Sequence, residues 1–512
     1  MDRTLFAFIW KYSKRDQIIL LLVTLLTFPF LYATLELPKR IINDAIGATF
    51  STFDAYGVEL TQVEFLLLLC FAFLAAVLAH GLLKMRLNTM KGVLSERLLR
   101  RFRYQLISRI LRFPRPYFRR TSQGELVSMI TSEAEPMGGL MGDAVAQPVF
   151  QAGQMLTILF FLFVQSFWFG LASVALIPLQ AWLIPMLQRQ INQLNKERIG
   201  EVRHLASEIG ESAAGIGDLR INGGWRYRLA GFTDRLGRLF DIRFQIYQKK
   251  FFMKFLNNFI TQLTPFFFFS VGGYLVIKGE ITVGALVAAL AAYKDLSAPG
   301  RELLLYYNQV QDMSLRWLLI AERFAPKGMI DESLFVGRPD EIPRLSGAIS
   351  LKDVTVRDGD GNPVLEDINL DIPAHARVAV KSSSQVERTA FAELLTREVI
   401  PSRGKVMIGD QDLNEFHQAV IAARIGYAHS QPYLFDGTLG ENLLMPLNVM
   451  PHGFAFADEK KESEAKRTGN SVDPFEADWL DPSLAGLSSP DEIGAWWFKL
   501  VETMGLDDGM FR

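Results

Sequence analysis

Apolar residues in this chain fall in long uncharged blocks, with basic residues crowded between them. An uncharged block of about 18 residues or more crosses the hydrocarbon layer of a bilayer as a helix, because only a helix satisfies its own backbone polar groups there. Residues 18–35 and 65–83 each fit one such span, and 144–188 fits two with a tight turn near Gln165 and Ser166. Residues 255–277 give a fifth. The block at 281–293 is shorter, but after Lys294 and Asp295 its apolar pattern resumes through Leu303, Leu304, Leu305, Tyr306 and Tyr307, which predicts a sixth helix partly facing water.

Charge orients these spans. Between Lys84 and Arg120 there are twelve basic residues against one acid, Glu96, and a second basic stretch occupies 189–254. Basic loops are retained on the cytoplasmic side, so both are expected inside, with the uncharged turn after the third span and Lys278-Gly-Glu outside. The inner loops are too long for turns and read as helical extensions beyond the bilayer; a cationic helix lying on anionic lipid is the other reading of the same charge. The basic N-terminus before the first apolar block shows no small-residue cleavage site after that block, and reads as leading into a retained span.

From about Arg338 the pattern changes to short β-type runs separated by Gly, Pro and Asp, which predicts an α/β domain. Strands are expected at 347–356, 364–372, 377–380, 404–408 and 425–428, with helices at 385–398 and 495–504. Residues 458–492, rich in charge, Ser, Gly and Pro, read as a mobile insertion. The domains so drawn are 1–325, a linker at 326–346, and 347–512.

Composition agrees with a membrane protein. Hydrophobic residues make up 49% of the 512, which is too apolar for an ordinary soluble enzyme, and the net charge of −1 hides the local segregation. Cys70 is the only cysteine, so no disulfide or cysteine metal site forms within the chain.

Several local motifs then resemble the exporter class of ABC transporters. Phe113-Pro-Arg-Pro-Tyr-Phe-Arg-Arg-Thr-Ser-Gln-Gly-Glu-Leu-Val-Ser is similar to the family segment that leads to the first coupling helix, which would fall at 130–136. Glu211-Ser-Ala-Ala-Gly-Ile-Gly-Asp-Leu-Arg resembles the second-loop segment, and Gly272-Gly-Tyr-Leu-Val-Ile-Lys-Gly-Glu-Ile-Thr-Val-Gly-Ala-Leu-Val-Ala the turn between spans five and six. Pro363-Val-Leu-Glu-Asp-Ile-Asn-Leu-Asp-Ile-Pro and Ile425-Gly-Tyr-Ala-His-Ser-Gln-Pro-Tyr-Leu-Phe-Asp-Gly-Thr-Leu-Gly-Glu-Asn resemble the approach to the phosphate loop and the Gln-loop region of the nucleotide-binding domain. The resemblance implies a membrane all-α six-helix exporter-type domain, followed by an incomplete α/β P-loop-like nucleotide-binding domain.

The chemistry of that second domain departs from the family. A working phosphate loop, GxxGxGK[ST], uses glycines for close backbone approach, a lysine on the outer phosphates and a hydroxyl on magnesium. The matching residues here are Lys381, Ser382, Ser383, Ser384, Gln385, Val386, Glu387, Arg388 and Thr389. Glutamate in place of lysine turns an attraction into a repulsion, each of order 4 kcal/mol for unit charges about 4 Å apart at an effective dielectric of about 20. Together these rival a micromolar binding energy of about 8 kcal/mol. Asp358 stands where the family stacks a ring on adenine, and Ser430, with Gln431 beside it, stands at the Gln-loop position. No Leu-Ser-Gly-Gly-Gln signature, paired Asp-Glu at a strand end or switch histidine follows. A retained scaffold without nucleotide and weak binding through Lys381 or Arg388 are the two readings; neither gives a catalytic residue or a metal site. ATP and magnesium are expected only in an assembled transporter.

In the spans, Gln151 and Gln154 are three apart, and Asn258 and Gln262 four apart, so each pair shares a helix face. They either contact substrate in a cavity or hydrogen-bond between helices. The phenylalanines at 251, 252 and 266–269 suit lipid or an apolar ligand. The expected protein is a multi-pass subunit of the plasma (inner) membrane, its α/β domain in the cytoplasm, its partners the lipid bilayer, an ATP-competent second half or subunit, and a transported substrate, with no nucleic acid. The alternatives are a membrane scaffold or sensor with an exporter fold, or a fragment of a longer protein.

Overall fold

The structure, a computed structural model, describes residues 1–47, 52–55, 58–175, 177–339, 341–358, 361–428, 432–452 and 458–506. Long helices dominate the first three hundred residues: α1 (Leu5–Arg40), then a short hairpin of β1 (Thr52–Ala55) and β2 (Val58–Thr61), then α2 (Gln62–Ile110). Three short helices follow, α3 (Arg115–Arg120), α4 (Gln123–Ser128) and α5 (Glu135–Asp143), and then α6 (Ala146–Gln165), α7 (Phe167–Ala175), α8 (Ile177–Ala214), α9 (Ile216–Ile221), α10 (Trp225–Phe267), α11 (Gly273–Ile277) and α12 (Val283–Arg323). The C-terminal region holds β3 (Ile349–Arg357), β4 (Pro363–Ile372), α13 (Gln385–Leu395), β5 (Arg403–Ile408), β6 (Gln411–Asp412), α14 (Gln418–Arg424), α15 (Leu439–Leu444), β7 (Asn448–His452), α16 (Glu459–Thr468), β8 (Asp478–Leu480) and α17 (Ile493–Thr503).

Among the described residues five helical stretches are long and apolar enough to cross a membrane: Leu5–Ile46, Gln62–Ile110, Ala146–Gln165, Phe167–Ala214 and Trp225–Ile277. The turn expected near Gln165 falls at Ser166, whose extended backbone ends α6. The sixth expected span forms α12, a 41-residue helix that is not among those five. The segment expected as a coupling helix at 130–136 is divided: a π-turn covers Met129–Glu133, and α5 starts at Glu135.

The chain forms two compact units. One comprises Arg15–Lys91 and Val145–Asn308. Its core joins Ile158, Phe161 and Leu162 of α6 to Phe169, Phe268 and the face of α12 carrying Ala288, Ala289, Ala292, Tyr293 and Leu296. Three alanines within two turns let α12 approach closely, the usual way helices pack where lipid supplies no hydrophobic drive. Two buried threonines of α1 are satisfied locally: Thr24 donates to the Leu20 carbonyl at 2.8 Å and Thr27 to that of Thr24 at 2.6 Å. Cys70 is exposed on α2, and of the phenylalanines noted above only Phe268 is buried.

The other unit comprises Met1–Lys14, Gly92–Ala144 and Gln309–Arg512. Phe8, Phe102 and Trp317 meet with ring centroids 4.8–5.8 Å apart, and all three are essentially buried. A second core, including Leu351, Val354, Val356, Leu394, Val406 and Ile421, lies beneath a four-stranded sheet of order β4-β3-β5-β6; burying each such side chain contributes about 1.5–3 kcal/mol. Every pairing in it is antiparallel. At Gly404 a Cβ would stand 2.4 Å from the carbonyl oxygens of Lys352 and Asp353, and its φ is +82°; glycine is what permits the bulge between Lys352 and Thr355.

Two strand expectations are corrected. Residues 377–380 and 425–428 are irregular. A strand exists only through a ladder to a neighbour, and these segments have none among the described residues; Val378 and Val380 are exposed at 53% and 46% instead of entering the core. The segment at 458–492 carries α16, β8 and two 3-10 turns.

Candidate functional site

Two places gather the polar residues that the sequence singles out. The first is the turn into α13. Ser384 is the N-cap, its hydroxyl accepting from the Val386 N–H at 3.2 Å. Ser382 Oγ accepts from the Ser384 N–H at 3.1 Å and donates to the Glu387 carboxylate. Arg388 reaches back, one guanidinium nitrogen donating to the Ser382 carbonyl and another to Gln385 Oε1. No residue of 381–389 has a positive φ, so this backbone needs no glycine. The N–H groups of Ser384 and Val386, which in a phosphate-binding loop face the anion, have neighbouring hydroxyls as acceptors. Lys381 is exposed and Thr389 half-buried at the edge of this knot.

Asp358 lies elsewhere, in the β3–β4 hairpin. Its carboxylate accepts from the Asn362 N–H at 2.8 Å and from the Asn362 side-chain amide at 3.2 Å, and its own N–H donates to the Asn362 carbonyl. It therefore shapes a turn. Ser430 and Gln431 lie outside the described residues.

The second place is a cavity of about 320 Å³ bounded by α2, α6 and α12, at the small end of the range for small-molecule sites. Gln151 and Gln154 both line it. With Gln147 they form an i, i+4, i+7 stripe on α6, and Lys84, Asn88 and Lys91 form a stripe of the same spacing on α2. Lys91 Nζ donates to Gln147 Oε1 at 2.8 Å. The Lys84 ammonium lies 5.7 Å from the centre of the Phe150 ring, within cation–π reach. Leu87 adds apolar surface, and Pro299 and Glu302 of α12 close the third wall. Asn258 and Gln262 do not line this cavity; both are exposed on α10. Lys84, Asn88, Lys91, Gln147 and Glu302 were not singled out from sequence. The repeated spacing on two helices was the available signal, hidden because Lys84 opens a basic loop by charge count.

Residues 18–295, more than half of the chain, match the family model of the ABC transporter transmembrane region. The chain belongs to this family. It is 24% identical over 395 residues to a fatty acid ABC transporter ATP-binding/permease protein of Mycobacterium bovis, a match covering 76% of this chain and 60% of the relative. It is 22% identical over 472 residues to an uncharacterized ABC transporter ATP-binding protein, YfiC, of Bacillus subtilis, covering 90% and 74%. An ATP-dependent lipid A-core flippase of Ralstonia nicotianae is 20% identical over 443 residues, covering 86% and 72%. The chain thus spans 60% of the length of the mycobacterial relative. An ABC exporter-type helical membrane domain followed by a strand-containing C-terminal region is the architecture that results.

Proposed function

We propose that this chain is a membrane subunit of an ABC-type exporter that moves its cargo by alternating access, with ATP hydrolysis supplied largely by a partner. The cavity between α2, α6 and α12 carries this reading, because it sets two polar stripes from separate spans against one shared volume. A scaffold has no need of such a space. In this reading α12 is the sixth span, and the C-terminal region lies on the cytoplasmic side with the basic loops. The cargo we propose is an amphiphile: the wall combines Lys84 and three glutamines with Phe150 and Leu87, and two relatives are named for fatty acid and lipid A-core.

The turn at 381–389 does not fit the phosphates of ATP with magnesium. The N–H groups of Ser384 and Val386 are already bonded to hydroxyls, Glu387 repels the outer phosphate, and Arg388 is held by Ser382 and Gln385. The knot supports an α/β scaffold that keeps the family's shape without its nucleotide chemistry. ATP and magnesium then belong to the assembled transporter.

The test is magnesium-dependent ATPase activity of the chain in lipid nanodiscs, alone and co-purified with native partners. Activity only with a partner supports the proposal. Robust hydrolysis by the chain alone refutes the vestigial reading of the knot, and no activity in any native assembly favours the scaffold.

A further inference from the structure

The charged segment that begins at Asp458 takes part in neither site. Asp458 caps α16 by accepting from the Lys460 N–H at 2.9 Å, and Gly469 ends the helix at φ +64°. Glu464, Ala465 and Thr468 share one face of α16, and Ala465 and Thr468 are buried. From this face Glu464 meets Arg97 of α2 in a fork: Nε and Nη2 donate to separate carboxylate oxygens, the second at 2.8 Å. This geometry is the strongest form of side-chain ion pair, and both partners are about one-third exposed or less. The carboxyl of Glu464 is held below its usual range, chiefly by the hydrogen bond from Arg97.

The next turn of α2 is engaged as well. Arg101 donates to the Arg467 carbonyl at 3.5 Å while lying 4.1 Å over the Tyr12 ring. A Cβ at residue 469 would stand 2.5 Å from Arg101 Nη2, so the turn closing α16 rests directly on that guanidinium. With its amide oxygen turned toward α2, Asn470 accepts from Arg100 Nε at 3.1 Å. Arg97, Arg100 and Arg101 lie three and four apart on one face of α2, and all three meet α16 or its cap. Lys84, Asn88 and Lys91 precede them on the same unbroken helix.

We propose that α16 is a latch through which the C-terminal region holds α2, with Arg97 and Glu464 as positioning residues of the transport cycle. The coupling role rests on the transporter reading above. With α16 docked, the Arg97–Arg101 turn follows the C-terminal region, so displacement of that region is delivered to the helix that carries one wall of the cavity. The contact joins elements of one chain and requires no nucleotide at residues 381–389.

The experiment uses the full chain in its native assembly with Cys70 replaced by alanine. Cysteines at positions 100 and 470 are bridged with a short bismaleimide, and magnesium-dependent ATPase is followed in parallel without the cysteine pair. Glu464→Arg is expected to slow bridging about fivefold and to depress ATPase. Adding Arg97→Glu, which restores opposite charges in reversed order, is expected to recover both. Bridging indifferent to Glu464→Arg overturns the latch. Bridging that responds while ATPase stays constant overturns the positioning role. An unmutated assembly without ATPase removes the transporter reading and the coupling role with it, while the bridging rates still decide the contact. The swapped pair distinguishes loss of the contact from misfolding.

Discussion

The turn at 381–389 and the cavity lined by Gln151 and Gln154 are built from similar polar side chains, but they direct them differently. In the turn, Ser382, Ser384, Gln385, Glu387 and Arg388 bond to one another or to adjacent backbone. In the cavity, two helices present polar stripes to a volume of about 320 Å³. Residue type alone therefore says little about function; what matters is whether donors and acceptors are spent internally. A closed knot is worth stability, an open wall is worth binding.

The largest loss is expected from disturbing the packing of α6 against α1, at a position of α6 that does not itself line the cavity. At Gly153, between the two glutamines, a Cβ would stand 2.0 Å from Cζ of Phe28. Gly153→Ala forces that ring to move, and overpacking of this kind costs about 1–3 kcal/mol; thermal unfolding in nanodiscs should show it. Gly81→Ala is the control, since nothing lies within 4 Å of its added Cβ. An equal loss in both would remove the packing argument.

Replacing Gln151 and Gln154 together by leucine is expected to raise the Kd for a fluorescent fatty acid about tenfold, or about 1.4 kcal/mol, with the melting temperature unchanged. A lower melting temperature at constant Kd would assign the glutamines to helix–helix bonding. In the knot the expectation is reversed. Ser382→Ala removes an acceptor from the Ser384 N–H and a donor to Glu387, at a cost of about 1 kcal/mol. Glu387→Ala in that background should add little, because the two act through one bond. Full additivity in thermal unfolding would show that they act separately.

Much of the fold was legible because apolar length is a direct physical requirement. The blocks at 18–35, 65–83 and 255–277 lie in helices, as do most of the described residues of 144–188, and the turn came at Ser166 as their spacing asks. The missed strands at 377–380 and 425–428 show the limit: a β-type run states a propensity, whereas a strand needs a partner that no local pattern supplies. Half of the candidate cavity was legible. Gln151 and Gln154 stood out as polar residues inside an apolar block, while Lys84 and Lys91 looked like loop charge and Asn88 lay between them, though all three occupy the same helix α2 as the preceding span. Asn258 and Gln262, four apart on one helix face, lie exposed on α10 instead, which their sequence does not distinguish from a cavity wall. The knot was legible only as a loss of glycines and lysine; that its hydroxyls and Arg388 would bond to one another is a property of three-dimensional geometry.

The smallest expected effect is the sharpest test of that knot. A ligand at a hundred times its Kd stabilises the folded state by about 2.7 kcal/mol, so micromolar binding of magnesium-ATP would visibly raise the melting temperature of the C-terminal region. For binding to occur at residues 381–389, Ser384 and Val386 must release their hydroxyl acceptors, Arg388 must leave Ser382, and the phosphate must settle beside Glu387. Each step opposes the ligand. The expected shift for the chain alone is therefore zero, and it should remain zero in Glu387→Ala, because removing the charge leaves the N–H groups engaged. A shift that appears only in Glu387→Ala would mean that charge alone closes the site, and the knot would be a blocked phosphate loop in place of a rebuilt one.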